Sequence, residues 1–325
     1  MSASWTWHGG GVEAARAHFG GEDWVDLSTG INPHPWPGTD AIAIAIAIDW
    51  QRLPERHELA TLEAAAADYF GIDPRHVCAV PGTEIGLRLA GSLVGGGAHY
   101  AVPTYRTHGE MIAGAIPTPL DAAGTGTLIL ANPNNPDGRA LSPEQLRGLL
   151  ARREPGAWLL LDEAFADTDP ALSLADHVDD ARRLLVFRSF GKFFGLAGVR
   201  LGFVLGPSPM LDAIRAALGA WPVSAAAIAI GTAAYRDQAW AEAMRARLRN
   251  DATALDAVLA GTGHTAIGAC PLFRLIEVPS GIALFEQLAR HAILTRPFAE
   301  QPHWLRIGLP STGEALVRLE TALRG

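Results

Sequence analysis

Lys192 sits in the stretch Ser189-Phe190-Gly191-Lys192-Phe193-Phe194-Gly195-Leu196-Ala197-Gly198-Val199-Arg200-Leu201-Gly202, directly after the apolar run Leu184-Leu185-Val186-Phe187. A lysine at the end of such a run offers an amine that forms a Schiff base with an aldehyde. Ser189 and Arg200 add a hydroxyl and a fixed positive charge, both suited to a phosphate ester. Two upstream segments repeat the pattern of apolar run and then polar residue. Thr127-Leu128-Ile129-Leu130-Ala131 leads into Asn132-Pro133-Asn134-Asn135-Pro136-Asp137-Gly138, and Trp158-Leu159-Leu160-Leu161 leads into Asp162-Glu163-Ala164-Phe165. Short continuous apolar runs are expected of strands buried on both faces of a parallel sheet. In such sheets ligands sit outside the carboxyl ends of the strands, so Asn135, Asp162 and Lys192 are expected to converge. Alone, each residue has a plainer reading, as a solvated lysine in a glycine-rich turn or an aspartate capping one.

Pyridoxal phosphate carries both an aldehyde and a phosphate ester. The ordered set Asn-Pro-X-Asn-Pro-X-Gly, then Asp-Glu-Ala-Phe, then Ser-X-X-Lys followed eight residues later by Arg resembles the fold-type I pyridoxal-phosphate enzymes, the aspartate aminotransferase superfamily, over nearly the whole chain. The resemblance implies an α/β fold: a large domain with a mostly parallel sheet flanked by helices, plus a smaller α+β domain. It also implies roles. Asn135 would bond the cofactor's phenolic oxygen, Asp162 pair with the ring nitrogen, Lys192 form the Schiff base, and Ser189 and Arg200 bind the phosphate. A carboxylate beside the ring nitrogen favours its protonated form, because an opposite charge at contact raises a base's pKa.

A second phosphate cradle is expected upstream. His76-Val77-Cys78-Ala79-Val80 reads as a strand, and Pro81-Gly82-Thr83-Glu84 then enters an apolar pattern at helical spacing through Leu93. A glycine turn at a helix start presents backbone N–H groups and the positive end of the dipole, although Gly-Thr before a helix is often only a cap. The resemblance assigns Gly82, Thr83 and Glu84 to cofactor phosphate through their backbone, and Tyr105 to the aromatic that stacks on the ring.

Composition sets the wider limits. The chain has 325 residues, 49% of them hydrophobic, enough for a large core and more than one domain. A formal charge of −8 without a dense basic cluster makes nucleic acids poor partners. Cys78 and Cys270 fit no metal or redox spacing and read as core residues. No metal is expected. The N-terminus shows no apolar signal region, and the alanine-rich stretch 216–230 is broken by Gly219, Pro222 and Ser224, so a cytoplasmic protein with no membrane partner is expected. Alternating strands and helices give way after residue 209 to a long helical pattern from Asp237 to Leu259, a strand at Phe273–Val278, a helix at Ile282–His291, strands near Ala292–Thr295 and Trp304–Leu309, and a helix from Thr312. We expect an N-terminal arm at 1–36 serving the small domain and the substrate site, a large domain at 37–209 and a small domain at 210–325. The strict Ala/Ile alternation of Ala41–Ile48 suits a strand by period, yet it also pairs isoleucines at helical spacing, and the resemblance favours a helix.

The two ends narrow the resemblance. His8-Gly9-Gly10 followed by Asp26-Leu27-Ser28-Thr29-Gly30-Ile31-Asn32-Pro33 resembles the opening of the threonine-phosphate decarboxylases of cobalamin biosynthesis, relatives of the histidinol-phosphate aminotransferases. That implies decarboxylation of L-threonine O-3-phosphate to (R)-1-amino-2-propanol O-2-phosphate, with His8 and Gly9 at the substrate phosphate and Asn32 lining the substrate site beside Asn135. Arg306 would bind the α-carboxylate, and Arg296 a second anion. A homodimer is implied as well. Leu53 replaces the tyrosine that reaches a neighbouring subunit's cofactor in the family, Phe165 replaces a tyrosine that bonds the cofactor oxygen, and Asp137 replaces a loop threonine. The alternatives are an aminotransferase for histidinol phosphate or a related amino acid, and a non-catalytic ligand-binding homologue.

Overall fold

The computed structural model describes residues 5–6, 8–37, 43–45 and 47–325. Its strands in chain order are β1 (Val25–Asp26), β2 (Val77–Val80), β3 (Ala98–Val102), β4 (Ile116–Pro119), β5 (Thr127–Ala131), β6 (Leu159–Asp162), β7 (Leu184–Ser189), β8 (Gly202–Leu205), β9 (Ala266–Ile267), β10 (Phe273–Glu277), β11 (Ile293–Leu294), β12 (Arg296–Pro297) and β13 (Trp304–Gly308). Contacts divide the chain into two compact units, the larger comprising residues 35–135 and 140–243, the smaller residues 1–34, 136–139 and 244–325.

The larger unit is built on a seven-stranded sheet in the order β2–β8–β7–β6–β5–β3–β4. Strands β7, β6, β5, β3 and β4 run parallel, while β8 is antiparallel to both β2 and β7. Every residue of β5 and β6 is buried, as their unbroken apolar runs require of strands covered on both faces. One face packs Val80, Ile129, Leu160, Leu185, Phe187 and Val204 against Leu87 and Ala90 of the helix Thr83–Val94 and Leu211 and Ile214 of the helix Ser208–Leu218. Helix starts are set by local chemistry. Ser142 and Gln145 form a reciprocal capping box at Pro143–Ala151, and Glu55 and Glu58 form another at Arg56–Phe70.

The sequence marks a change of pattern at residue 210, and contacts group the chain through Ala243 with the larger unit. Tyr235, fully buried on the helix Ala225–Arg236, lies 5.5 Å from the Phe70 ring, 5.6 Å from Phe190 and 5.4 Å from Phe203, centroid to centroid. A change of local pattern at 210 does not reveal which core the next helices bury. Within the alternating Ala/Ile segment, Ala43–Ala45 are helical and the Ala47 N–H donates to the Ala43 carbonyl at 3.1 Å. Ala41, Ile42 and Ile46 lie outside the described residues.

The smaller unit holds a four-stranded antiparallel sheet, β12–β13–β10–β9, and the parallel pair β1–β11. The helices Gly281–Arg290 and Gly313–Arg324 begin where Ser280 and Thr312 accept from the N–H groups of Ala283 and Ala315. Cys78 and Cys270 are buried free thiols, pushed up to about 12 by burial. Among the described residues no helix is long and apolar enough to cross a membrane, and no cluster of His, Cys, Asp and Glu is arranged to hold a metal.

Candidate active site

The carboxyl ends of β5, β6 and β7 and the start of the helix Thr83–Val94 surround a cavity in the larger unit. Gly82, Thr83, Glu84, Tyr105, Asn135, Asp162, Ser189, Lys192 and Arg200 all line it, together with Phe165. Every residue expected at the cofactor therefore faces one space.

Lys192 is the only lysine in the chain. It lies on the short helix Phe190–Phe193, anchored by its aromatic neighbours: Phe190, Phe193 and Phe194 are fully buried, Phe190 stacks on Phe194 at 4.8 Å, and Phe194 stacks on Trp240 at 5.5 Å. Burying each ring contributes about 1.5–3 kcal/mol, which fixes the backbone that presents Lys192 to the cavity. The Lys192 Nζ lies 5.9 Å from the centroid of the Phe165 ring.

Asp162, buried at the end of β6, accepts from the Ala164 N–H at 3.0 Å through Oδ1, and its Oδ2 lies 3.0 Å from His108 Nε2. His108 is fully buried, with Nδ1 2.6 Å from Thr104 Oγ1. This histidine went unrecognised in the sequence. Its only signal was its place three residues after Tyr105, and its partner is 54 positions away. Glu84 does more than offer backbone: its carboxylate accepts from the Tyr105 hydroxyl at 3.1 Å and the Thr107 hydroxyl at 2.9 Å, and pairs with Arg88 at 2.7 Å. Burial and the Glu84 carboxylate push the Tyr105 phenol up, so it stays a neutral donor to that carboxylate.

The opposite corner is shaped for an anion. Gly82, with φ 90° and ψ 144°, is the N-cap residue of Thr83–Val94, and no side chain caps that helix. A Cβ at Gly82 would stand 2.7 Å from Arg200 Nη2, and one at Gly202 would stand 2.6 Å from the Thr83 nitrogen. Arg200 itself is left-handed at φ 57° and ψ 56°. For a residue with a side chain that conformation costs about 1–2 kcal/mol, and here it accompanies a guanidinium placed beside the start of a helix.

The smaller unit gathers a second group. Arg296 on β12 faces Arg306 on β13 in antiparallel register. Arg306 is buried, donates to the Ser28 carbonyl at 2.8 Å, and has its Cζ 5.0 Å from the Phe273 ring centroid. Burial, then Arg296, push Arg306 down to about 9, so it remains cationic at neutral pH at a cost in free energy. The Ser28 hydroxyl accepts from the Gly10 N–H at 2.7 Å, a Cβ at Gly9 would stand 2.4 Å from the Ser28 carbonyl oxygen, and Gly10 has φ 88°, so close approach favours glycine at the first position and backbone conformation at the second. His8 is exposed, with Nδ1 2.9 Å from the Gly9 carbonyl. Asn32 is buried, and its Oδ1 accepts from the His34 N–H at 2.9 Å.

Residues 100–319 match the family model for aminotransferase class I and II. The chain belongs to that family. Among its relatives, a threonine-phosphate decarboxylase of Sinorhizobium sp. is 42% identical, covering 97% of each chain. A threonine-phosphate decarboxylase of Pseudomonas aeruginosa is 39% identical over 98% of this chain and 97% of its own. The crystal structure of histidinol-phosphate aminotransferase from Sinorhizobium meliloti in complex with pyridoxal-5'-phosphate superposes with a TM-score of 0.86, 21% sequence identity, and coverage of 97% and 94%, a likeness of fold. The aminotransferase class I and II fold thus accounts for the sheet order and for a cavity at the strand ends. The donor set in that cavity fits pyridoxal phosphate: one amine, one carboxylate held by a histidine, one arginine, and a helix start whose glycine leaves the space a Cβ would fill.

Proposed function

We propose that this protein is a pyridoxal-phosphate-dependent decarboxylase that converts L-threonine O-3-phosphate to (R)-1-amino-2-propanol O-2-phosphate, the reaction its N-terminal resemblance places in cobalamin biosynthesis. The near full-length likeness to two threonine-phosphate decarboxylases carries this reading. The facing pair Arg296 and Arg306 supports it, because the substrate brings two anionic groups, a carboxylate and a phosphate.

Bound pyridoxal phosphate would supply a conjugated ring that accepts the electron pair of a bond breaking at Cα. Asp162 would hold a proton on the ring nitrogen, and His108 would hold that carboxylate in place. Ser189, Arg200 and the first-turn N–H groups at Gly82, Thr83 and Glu84 would hold the phosphate, with Asn135 at the phenolic oxygen and Tyr105 over the ring face. Lys192 Nζ would be the amine that holds the cofactor's aldehyde group and, with substrate bound, the proton donor to Cα. Phe165 has no hydroxyl, which leaves Asn135 alone at the phenolic oxygen. Arg306 would grip the carboxylate and Arg296 and His8 the phosphate, with Asn32 and Gly9 completing the substrate's surroundings. Their task is orientation, since only the bond standing perpendicular to the ring overlaps its π system. An N-terminal arm over residues 1–36 would thereby serve substrate binding.

The deciding assay supplies purified holoenzyme with threonine phosphate and no oxo acid. Carbon dioxide and aminopropanol phosphate should appear in equal amounts. Turnover that required 2-oxoglutarate and produced glutamate would replace this reading with that of an aminotransferase.

We also infer a cytoplasmic homodimer. Trp50, Leu53 and Trp221 are 66%, 57% and 59% exposed, and a groove lined by Pro54, Leu59, Trp221 and Val223 runs through the same part of the larger unit. Large apolar groups left in water beside such a groove suit an interaction surface. Light scattering should give twice the chain mass of 34.4 kDa, and Trp221→Glu should shift the population toward monomer. A fully active monomer would refute the assembly.

A further inference from the structure

Arg188 stands one residue before Ser189, so its side chain leaves β7 on the opposite face. It is 3% exposed. Its Nη1 donates to Glu163 Oε2 at 3.0 Å and to Ser173 Oγ at 3.1 Å, and its Nη2 donates to Asp167. Its Cζ lies 4.6 Å from the Phe70 ring centroid. Its carbonyl accepts from Thr83 Oγ1 at 3.0 Å. Glu163 is fully buried and also accepts from the Ser173 hydroxyl at 2.5 Å and the Leu174 N–H at 2.7 Å.

The contacts to Glu163, Asp167 and Thr83 land in or beside the cavity. Glu163 follows Asp162, Glu163 and Asp167 bracket Phe165, Thr83 lines the anion corner, and Ser189 is the next residue on β7. As a stabilising device the cluster is poor, because two carboxylates share one guanidinium and each buried ion costs several kcal/mol in lost hydration. Burial accordingly raises Glu163, with Arg188 opposing it. What the cluster supplies is geometry. A planar fork that holds two carboxylates and stacks on a ring has one allowed orientation, which an ammonium does not have.

We propose that Arg188 is a positioning residue for the cofactor site: by clamping the Glu163–Asp167 segment with its side chain and Thr83 with its carbonyl, it fixes Asp162, Phe165 and the phosphate corner relative to Ser189 and Lys192. The proposal rests on the cavity being a pyridoxal-phosphate site, and the test separates the two. Apo wild type, Arg188→Lys and the charge-free set Arg188→Met/Glu163→Gln/Asp167→Asn are compared for cofactor dissociation constant, the pH midpoint of the bound cofactor's absorption, and apo melting temperature. Arg188→Lys should weaken cofactor binding by roughly tenfold or more, the order seen when a partner that orients a site's direct ligands is lost, and should move the pH midpoint. The charge-free set should do the same with an apo melting temperature at or above wild type. Variants that lose melting temperature while keeping wild-type cofactor affinity and midpoint, or that all fail to fold, would make the cluster structural only and overturn the proposal. A wild type that takes up no cofactor sinks the cavity assignment and the proposal together, whereas wild-type uptake with unaltered variants sinks the proposal alone.

Discussion

Lys192→Ala protein is expected to lose decarboxylation by roughly 10²–10⁴-fold or more, the range for removing a positioned proton donor, and to retain no covalently fixed cofactor after borohydride reduction. The chain makes this test unusually clean. Lys192 is its only lysine, so the other primary amine in the polypeptide is the N-terminus. Mass spectrometry of the reduced wild type should place one cofactor on the peptide containing Ser189–Arg200. Label on the N-terminal peptide instead would sink the assignment. Reversible cofactor binding should persist in the variant, because Arg200, Ser189 and the helix start at Gly82 do not depend on the amine. Added small primary amines should restore part of the activity if the missing function is proton delivery alone.

The larger unit's sheet was legible because its strands are short unbroken apolar runs, and a polar residue at the end of each run marks where a ligand can sit. Asn135, Asp162 and Lys192 are each adjacent to such a run, which is why linear sequence placed them in one cavity. The supports behind them were not legible. His108 meets Asp162, and Arg188 meets Glu163 and Asp167, across the sheet and through tertiary packing, and no local period encodes which polar side chain pairs with which. Glu84 shows the same limit in a smaller way. Its position at a helix start was clear, but the use of its carboxylate to hold Tyr105 depends on a turn more than twenty residues on. The packing of the helix Ala225–Arg236 was hidden for a related reason: the helix has an apolar face, and only packing identifies the aromatic cluster around Tyr235 as the core it enters.

Arg306→Met should separate function from stability in opposite directions. Arg306 is buried beside Arg296, and both its desolvation and that like charge disfavour the charged form, so its value in the folded chain falls to about 9. For a base whose folded value is lowered, the unfolded chain binds the proton more readily. The cost is therefore present in full below about pH 9 and is relieved only as pH rises beyond it. A bound carboxylate would offset both terms, which suits the facing pair of arginines to an anion. Replacing Arg306 by methionine keeps apolar contact with Phe273 and removes the like charge, so the apo melting temperature should hold or rise. Loss of the charge-assisted hydrogen bond to substrate should cost about 1.5–3 kcal/mol, roughly ten- to more than a hundredfold in kcat/KM. The cofactor's absorption should stay as in wild type, because Arg306 does not line the cofactor cavity. A simple carboxylate such as acetate gives an independent readout: it should raise the melting temperature of the wild type and do so much less for Arg306→Met. Equal stabilisation of both proteins, with kcat/KM unchanged, would remove Arg306 from substrate binding and leave it a core residue.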